Sequence, residues 1–116
     1  MNLGEYSVVA YVHQLRGERV NLGVLVWHAQ RGSRVRLTKA VHRVRVVDED
    51  ADLERVRREL RRITEAVVGA GENSPLGSLA SEYRHSLVVT EPMKARIQDP
   101  GFTLERLYTC LMAPEP

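Results

Sequence analysis

Polar side chains and glycines interrupt an otherwise apolar stretch between residues 16 and 24, and the polar groups there have the chemistry of a small binding site. Arg16 and Arg19 carry guanidinium groups that suit an anion or the carboxylate of a partner. Glu18 and Asn21 would supply a carboxylate and an amide beside them. These four residues are therefore our candidate binding residues in this stretch.

The same residues also have a purely structural interpretation. Gly17 and Gly23 would meet backbone demands, Glu18 would pair with a neighbouring arginine, and Asn21 would bond to the local backbone or accommodate a β-bulge. Side chains alternate between the two faces of a strand, so Glu18 and Asn21 share a face only if a bulge intervenes. The alternation weakens a catalytic pair, and both interpretations stay open at this stage.

The elements that must position these residues are predicted to be strands. Two segments rich in β-branched and aromatic residues flank the motif, which indicates a β-hairpin. A third segment alternates polar and apolar residues, and a fourth ends at a proline. The predicted strands cover residues 6–13, 24–28, 34–38 and 84–89, with a short strand or extended linker at 41–47.

Two helices complete the prediction. Apolar residues recur at spacings of three and four within residues 50–68, which is typical of an amphipathic helix. Thr103 is a suitable N-cap for a C-terminal helix, and the Gly/Ser/Pro-containing stretch 70–81 separates the two. The fold expected is α+β: an antiparallel β-meander of about four strands with two helices packed on one face. The 116 residues are expected to form a single domain, 1–116.

Composition and motifs exclude several classes of protein. No apolar run approaches the roughly 18 residues that cross a bilayer, and the first residues lack a signal peptide, so we expect a cytoplasmic protein without membrane contact. The four histidines are dispersed, which favours neither a metal site nor a cofactor. Cys110 is the single cysteine and is expected to be a small buried apolar residue. No reaction follows from these residues, and whether the protein is an enzyme stays open.

The basic residues are concentrated in the first part of the chain. Residues 1–47 carry eight Arg and Lys against two Glu, whereas residues 48–116 carry nine against thirteen acidic residues. Arg34 and Arg36 lie on the predicted third strand and are candidate binding residues for phosphate. The other members of this basic stripe are Arg31, Lys39, Arg43 and Arg45. The alternative interpretation is a solvated strand face whose charges protect an exposed sheet edge.

The chain resembles the bacterial family catalogued as domain of unknown function 3037. The resemblance is carried by Arg16, Gly17, Glu18, Asn21 and Gly23, which follow a tyrosine-rich strand. It continues through the central helix, residues 87–92, Asp99-Pro100 and the last helix, and thus covers most of the chain. It implies a small cytoplasmic bacterial protein but no reaction. Some relatives are encoded beside proteins resembling HipA-type kinases, which implies an accessory role with such a kinase as partner.

Two functions of different classes follow as hypotheses. The first is a non-enzymatic protein-interaction module that presents its hairpin and one sheet edge to a protein partner. The second is a nucleic-acid-binding or nucleic-acid-processing domain that uses the basic sheet face, with affinity that falls steeply with salt. A homodimer formed by pairing of edge strands is compatible with either.

Overall fold

The computed structural model describes residues 3–112, which form an antiparallel sheet of five strands. The strands are β1 (Leu3–Val12), β2 (Arg19–His28), β3 (Gly32–Leu37), β4 (Leu87–Val89) and β5 (Met93–Arg96). The first three form a meander, and β4 and β5 both pair with the other edge of β1. The predicted α+β class with an antiparallel sheet is confirmed.

The helices cover both faces of this sheet. They are α1 (Val44–Val47), which follows a 3₁₀ turn at Val41–Arg43, α2 (Leu53–Val68), α3 (Leu76–Glu82) and α4 (Pro100–Met112). Leu25 of β2 packs in one cluster with Ile63 of α2, while Val24 and Val26 pack in a second cluster with Leu104 of α4. The apolar run at residues 22–26 of β2 is buried on both faces of the sheet. Such a run needs a cover on each side, which is why α4 forms a layer of its own.

The expectation of a strand or extended linker at residues 41–47 is wrong, because this segment is helical. Val41, Val44 and Val47 are all buried in the same core cluster. Their spacing of three residues places them on one side of a helical turn, whereas a strand would turn them to both faces. The imperfect alternation of this segment was therefore a helical signal.

The central helix begins at Leu53, three residues after the predicted start. Asp52 is its N-cap, and its carboxylate accepts a hydrogen bond from the backbone N–H of Arg55. A capping side chain of this kind satisfies one of the free amides of the first turn and fixes where the helix begins. The acidic residues before Asp52 lie outside the helix.

The C-terminal helix begins at Pro100 and not after Thr103, so the predicted cap is wrong. Asp99 Oδ1 accepts hydrogen bonds from the backbone N–H groups of Gly101 and Phe102, at 3.0 and 3.2 Å. Proline suits the first helical position because its missing N–H would have no partner there. Asp99 therefore has the role assigned to Thr103.

Two further expectations differ from the structure. No helix was expected in the stretch 70–81, but it contains most of α3. Cys110 was expected to be buried, but its side chain is exposed on α4. Within residues 3–112, no helix combines the length and the apolar character that crossing a bilayer requires.

Candidate functional site

Arg16 lies in the turn between β1 and β2 and ties this turn to α1. Its Nε lies 3.0 Å from Glu18 Oε1, and its Nη2 donates a 2.7 Å hydrogen bond to the carbonyl oxygen of Val47. Val47 is the last residue of α1, where backbone carbonyls lack partners within the helix. The guanidinium thus anchors the turn to a helix end, and more than half of the side chains of Arg16 and Glu18 remains exposed.

Asn21 anchors the same hairpin to the helix on the opposite face of the sheet. Its Nδ2 donates to the carbonyl oxygen of Leu111 near the end of α4, at 3.2 Å. Its Oδ1 accepts a hydrogen bond from Arg19 Nη2 at 3.1 Å. The structure thus brings Arg19 to Asn21 and Arg16 to Glu18, and each of the four polar side chains has a partner within the chain.

A β-bulge follows Asn21, and accommodating a bulge is one of the two roles that the structural interpretation offered for this residue. Val9 pairs with Gly23 and Ala10 pairs with Asn21, so Leu22 is the extra residue on β2. The bulge comes after Asn21 and leaves the alternation between Glu18 and Asn21 unchanged. A Cβ on Gly23 would overlap the carbonyl oxygen of Arg36 on β3, so glycine is required by close approach of two strands.

A histidine that sequence reasoning set aside holds the turn after β1. His13 Nδ1 accepts hydrogen bonds from the backbone N–H groups of Leu15 and Arg16, both at 3.2 Å. The turn closes at Gly17, whose φ of 73° lies in the left-handed region that favours glycine. His13 is therefore a structural component of the candidate site.

The turn between β2 and β3 repeats this arrangement. His28 Nδ1 accepts from the backbone N–H groups of Gln30 and Arg31, both at 3.1 Å, and Gly32 has a φ of 78°. Both turns have the sequence His-x-x-Arg-Gly, at residues 13–17 and 28–32. This repeated pattern is the signal from which the role of both histidines could have been found.

Two aliphatic side chains are strongly exposed on the elements that Arg16 joins. Leu15, at the turn itself, is 92% exposed, and Val46 of α1 is 83% exposed. Their chain neighbours Arg16 and Val47 are hydrogen-bonded to each other. We define the tip surface as Leu15, Arg16, Glu18 and Val46.

The basic stripe expected on the face of the predicted sheet is not continuous. Arg34 and Arg36 lie on β3, but Arg43 and Arg45 lie on the helical segment that replaces the expected strand. Arg36 forms an ion pair with Glu105 of α4. Its guanidinium also lies 4.2 Å from the centre of the Tyr108 ring, so this cation is engaged within the chain. The remaining members of the stripe are Arg31, which lies just before β3, and Lys39, which lies just after it.

A cleft of about 360 Å³ opens between α2, the end of α3 and the segment that leads into β4. Two phenol groups line it, those of Tyr11 and Tyr83. Tyr11 donates a 2.6 Å hydrogen bond to Asp48 Oδ2, and Tyr83 donates a 3.2 Å hydrogen bond to Glu59 Oε2. Because the lining residues come from several separate segments, no local pattern in the sequence indicates this cleft.

Both phenols hold their protons more tightly than a free tyrosine does. Burial and the charges of the adjacent glutamates raise the pKa of Tyr83 to about 12. Burial and the bond to Asp48 raise the pKa of Tyr11, and the same bond lowers the pKa of the Asp48 carboxyl. At neutral pH the two phenols therefore act as hydrogen-bond donors.

Comparisons with known proteins give one result. The model of a family described as Protein of unknown function (DUF3037) matches residues 6–112. Searches of the curated proteins and of the solved structures each found no match. Among the residues that the structure describes, no group of three or more His, Cys, Asp or Glu side chains is arranged to hold a metal ion.

Proposed function

We propose, for a chain that belongs to the DUF3037 family of proteins of unknown function, a non-enzymatic accessory role in which the tip surface binds a protein partner. We place this role in the bacterial cytoplasm. The exposed free thiol of Cys110 supports that location, because exposed thiols persist in reducing compartments.

The observation that carries the proposal is the exposure of Leu15 on a turn whose backbone is fixed. His13 bonds to the amide of Leu15, and Arg16 links the turn to α1. A side chain presented by an ordered turn loses little conformational entropy when a partner covers it. Burial of a leucine contributes roughly 1.5–3 kcal/mol, so Leu15 suits the role of an anchor.

The groups around Leu15 suit the border of a protein interface. Val46 adds a second apolar side chain, while the half-exposed ion pair of Arg16 and Glu18 adds polar groups beside it. Protein interfaces combine an apolar centre with a polar rim. The polar side chains that could have formed a catalytic group are those of Arg16, Glu18, Arg19 and Asn21. Each has a hydrogen-bond or ion-pair partner within the chain, which also favours binding over catalysis.

Affinity capture from the native organism tests this proposal with two matched variants. Leu15→Asp places a charge at the tip surface, and Phe102→Asp places one at another exposed apolar position, 62% exposed in the first turn of α4. Leu111, which receives the bond from Asn21, lies nine residues further along α4, about 13 Å away at 1.5 Å per residue. Phe102 is thus a control on α4, whose core cluster is separate from the one that contains Val47 of α1.

We expect a stoichiometric protein partner to be retained by the wild type and by Phe102→Asp and to be lost by Leu15→Asp. A HipA-like kinase is the first identity to look for, since the resemblance implies it. The proposal is wrong if both variants retain the partner equally. It is also wrong if the wild type retains only nucleic acid that high salt removes, because that result favours the basic residues of the first half of the chain.

A further inference from the structure

One edge of the sheet is formed by β3, whose outer side has no neighbouring strand among the described residues. Thr38, the residue after β3, donates its backbone N–H to the carbonyl oxygen of Leu22 on β2, at 2.7 Å. Hydrogen-bonded and non-hydrogen-bonded pairs alternate along two antiparallel strands. The backbone groups of Arg36 and Arg34 therefore also face β2, since these residues follow Thr38 in steps of two within the same register.

The backbone groups of the intervening residues face the open edge. Ser33, Val35 and Leu37 direct their N–H and C=O groups outward, and no hydrogen bond within residues 3–112 occupies them. A row of unpaired backbone groups is a template for a further strand. The opposite edge is divided between β4, with three residues, and β5, with four, whereas β3 has six. The edge at β3 is therefore the longer continuous template.

The side chains of β3 differ between the two faces of the sheet. Val35 and Leu37 pack against the core cluster that contains the buried residues of α2. Arg34 and Arg36 are exposed on the other face, where Arg36 forms its ion pair with Glu105 of α4. A strand added beside β3 would thus have apolar neighbours on one face and guanidinium groups on the other.

This edge carries a positive charge that the described chain does not balance. Residues 31–39 contain Arg31, Arg34, Arg36 and Lys39 and no acidic residue. Among the described residues, Arg36 is the member of this group that forms an ion pair. Four cations against the one carboxylate of Glu105 leave a surplus of three positive charges. A segment with carboxylates is therefore favoured beside β3.

A second copy of β3 does not suit the edge. Residues directly opposite each other in an antiparallel pair lie on the same face of the sheet. Any self-pairing that overlaps the middle of β3 places the face of Arg34 and Arg36 against the same face of the copy. Like charges opposite each other are destabilising. The charges that oppose self-pairing are thus the ones that select an acidic strand.

We propose that β3 binds an extended acidic segment of a partner protein, which adds to the sheet as a further strand. Its carboxylates lie beside Arg34 and Arg36, and its alternate apolar side chains lie beside Val35. A peptide backbone pairs with both the donors and the acceptors of the edge, whereas the phosphates of a nucleic acid only accept hydrogen bonds. The surface shares no residue with the tip surface and does not depend on the role proposed for Leu15.

Amide NMR of the full chain, titrated with the blocked peptide Ser-Val-Glu-Val-Glu-Val-Ser, tests the proposal. The glutamates of this peptide alternate with valines at the period of two that a strand requires. The control peptide Ser-Glu-Glu-Val-Val-Val-Ser has the same composition and charge without the alternation. We expect saturable binding of the first peptide and slower hydrogen exchange at the amides of Ser33, Val35 and Leu37. The amides of Arg34 and Arg36 already face β2 and should change little.

Four variants locate the binding. Arg34→Glu is expected to weaken the Kd about tenfold or more, because it replaces an attraction by a repulsion. Arg96→Glu is the matched control, since it makes the same change of charge at an exposed arginine of β5, on the opposite edge. Val35→Pro removes an outward N–H without loss of a bond to β2 and should abolish binding. Leu15→Asp should leave peptide binding unchanged, which separates this surface from the tip surface.

Absence of saturable shifts in the wild type at about 10 mM peptide, a level beyond millimolar affinity, would overturn the proposal. Equal affinity for the control peptide, or equal weakening in Arg96→Glu, would overturn it as well, because either result reduces the effect to net charge. Slower exchange of the outward amides at rising protein concentration without peptide would show that a second copy covers the edge. Tighter binding of an oligothymidylate at the same amides would overturn the choice of a peptide.

Discussion

The turns at residues 13–17 and 28–32, on either side of β2, share the sequence His-x-x-Arg-Gly and a histidine that accepts two backbone amides. They differ in their surroundings. His28 is 2% exposed, whereas His13 is partly exposed, and the three residues that follow each histidine are open to solvent. The same local chemistry thus closes two exposed turns, one on a buried histidine and the other on a partly exposed one.

The arginines of the two turns show what the surroundings add. Arg16 reaches Glu18 and the end of α1, whereas Arg31 has no ion pair among the described residues. The first turn is therefore held by its own histidine and by a contact with a separate element. Local sequence determines the backbone of both turns, and the neighbouring elements determine which of them can present a side chain rigidly.

The largest difference between the turns is expected from their histidines. His28→Ala should lower the free energy of unfolding by about 3 kcal/mol, because it leaves a cavity where the buried imidazole packs and removes the acceptor of two backbone amides. His13→Ala should cost about 1 kcal/mol, since water can reach the freed amides. Urea denaturation measures both.

Asparagine provides the control for both positions. Its side-chain oxygen can accept from the amides two and three residues ahead, so His13→Asn and His28→Asn should recover part of each loss. Equal losses for His13→Ala and His28→Ala would contradict the difference in surroundings that we describe.

The glycines that close the turns are expected to behave alike. A Cβ on Gly17 or Gly32 would contact nothing within 4 Å, so the cost of alanine comes from the positive φ alone. Gly17→Ala and Gly32→Ala should each lower the free energy of unfolding by about 1–2 kcal/mol. Gly77→Ala, at an open position in α3, is the control and should leave the free energy of unfolding unchanged or raise it. Losses that differ widely between the two turns would show that their surroundings also restrict these glycines.

The brace between the hairpin and α4 predicts a smaller and more local effect. Asn21→Ala removes the hydrogen bond to the Leu111 carbonyl and should cost about 1 kcal/mol. Amide hydrogen exchange should become faster in the last turn of α4 and stay unchanged at residues 28–32. A uniform change across the chain would mean that Asn21 does not act as a local brace.

The smallest expected effect concerns acid stability beside the first turn. The bond from Tyr11 lowers the pKa of Asp48 in the folded protein below its ordinary value of 3.8. The associated stability is therefore present above pH 3.8 and is lost as the pH falls through the lower, folded pKa. Asp48→Asn should remove this component. Below pH 4, the urea midpoint of this variant should therefore fall less steeply with decreasing pH than the midpoint of the wild type. Parallel pH profiles of the two proteins would contradict the linkage.

The sequence predicted the elements whose pattern is local. The hairpin, the helix before Gly69 and the special backbone near Gly17 and Gly23 follow from alternation, helical spacing and glycine placement. The bulge that the structural interpretation offered as one role of Asn21 is present. These features depend on neighbours in sequence, which is why they could be predicted.

The features that were missed depend on partners distant in sequence or on a pattern that fits two structures. Val41, Val44 and Val47 fit a helical turn and an imperfect strand alike, and only packing in the core decides between them. The cleft is lined by α2 and by the segment before β4, which are distant in sequence, and no local pattern indicates that they meet. The partners of Arg16 and Asn21 are backbone carbonyls, which any residue type could supply.

The central claim is that residues 13–21 hold Leu15 on a rigid turn, and NMR relaxation of the Leu15 amide tests it most directly. We predict a backbone order parameter of about 0.85 in the wild type, equal to that of the strands, and a value below about 0.6 in His13→Ala. A value below about 0.6 in the wild type would contradict the claim, because the turn would then be mobile without any change to its anchors.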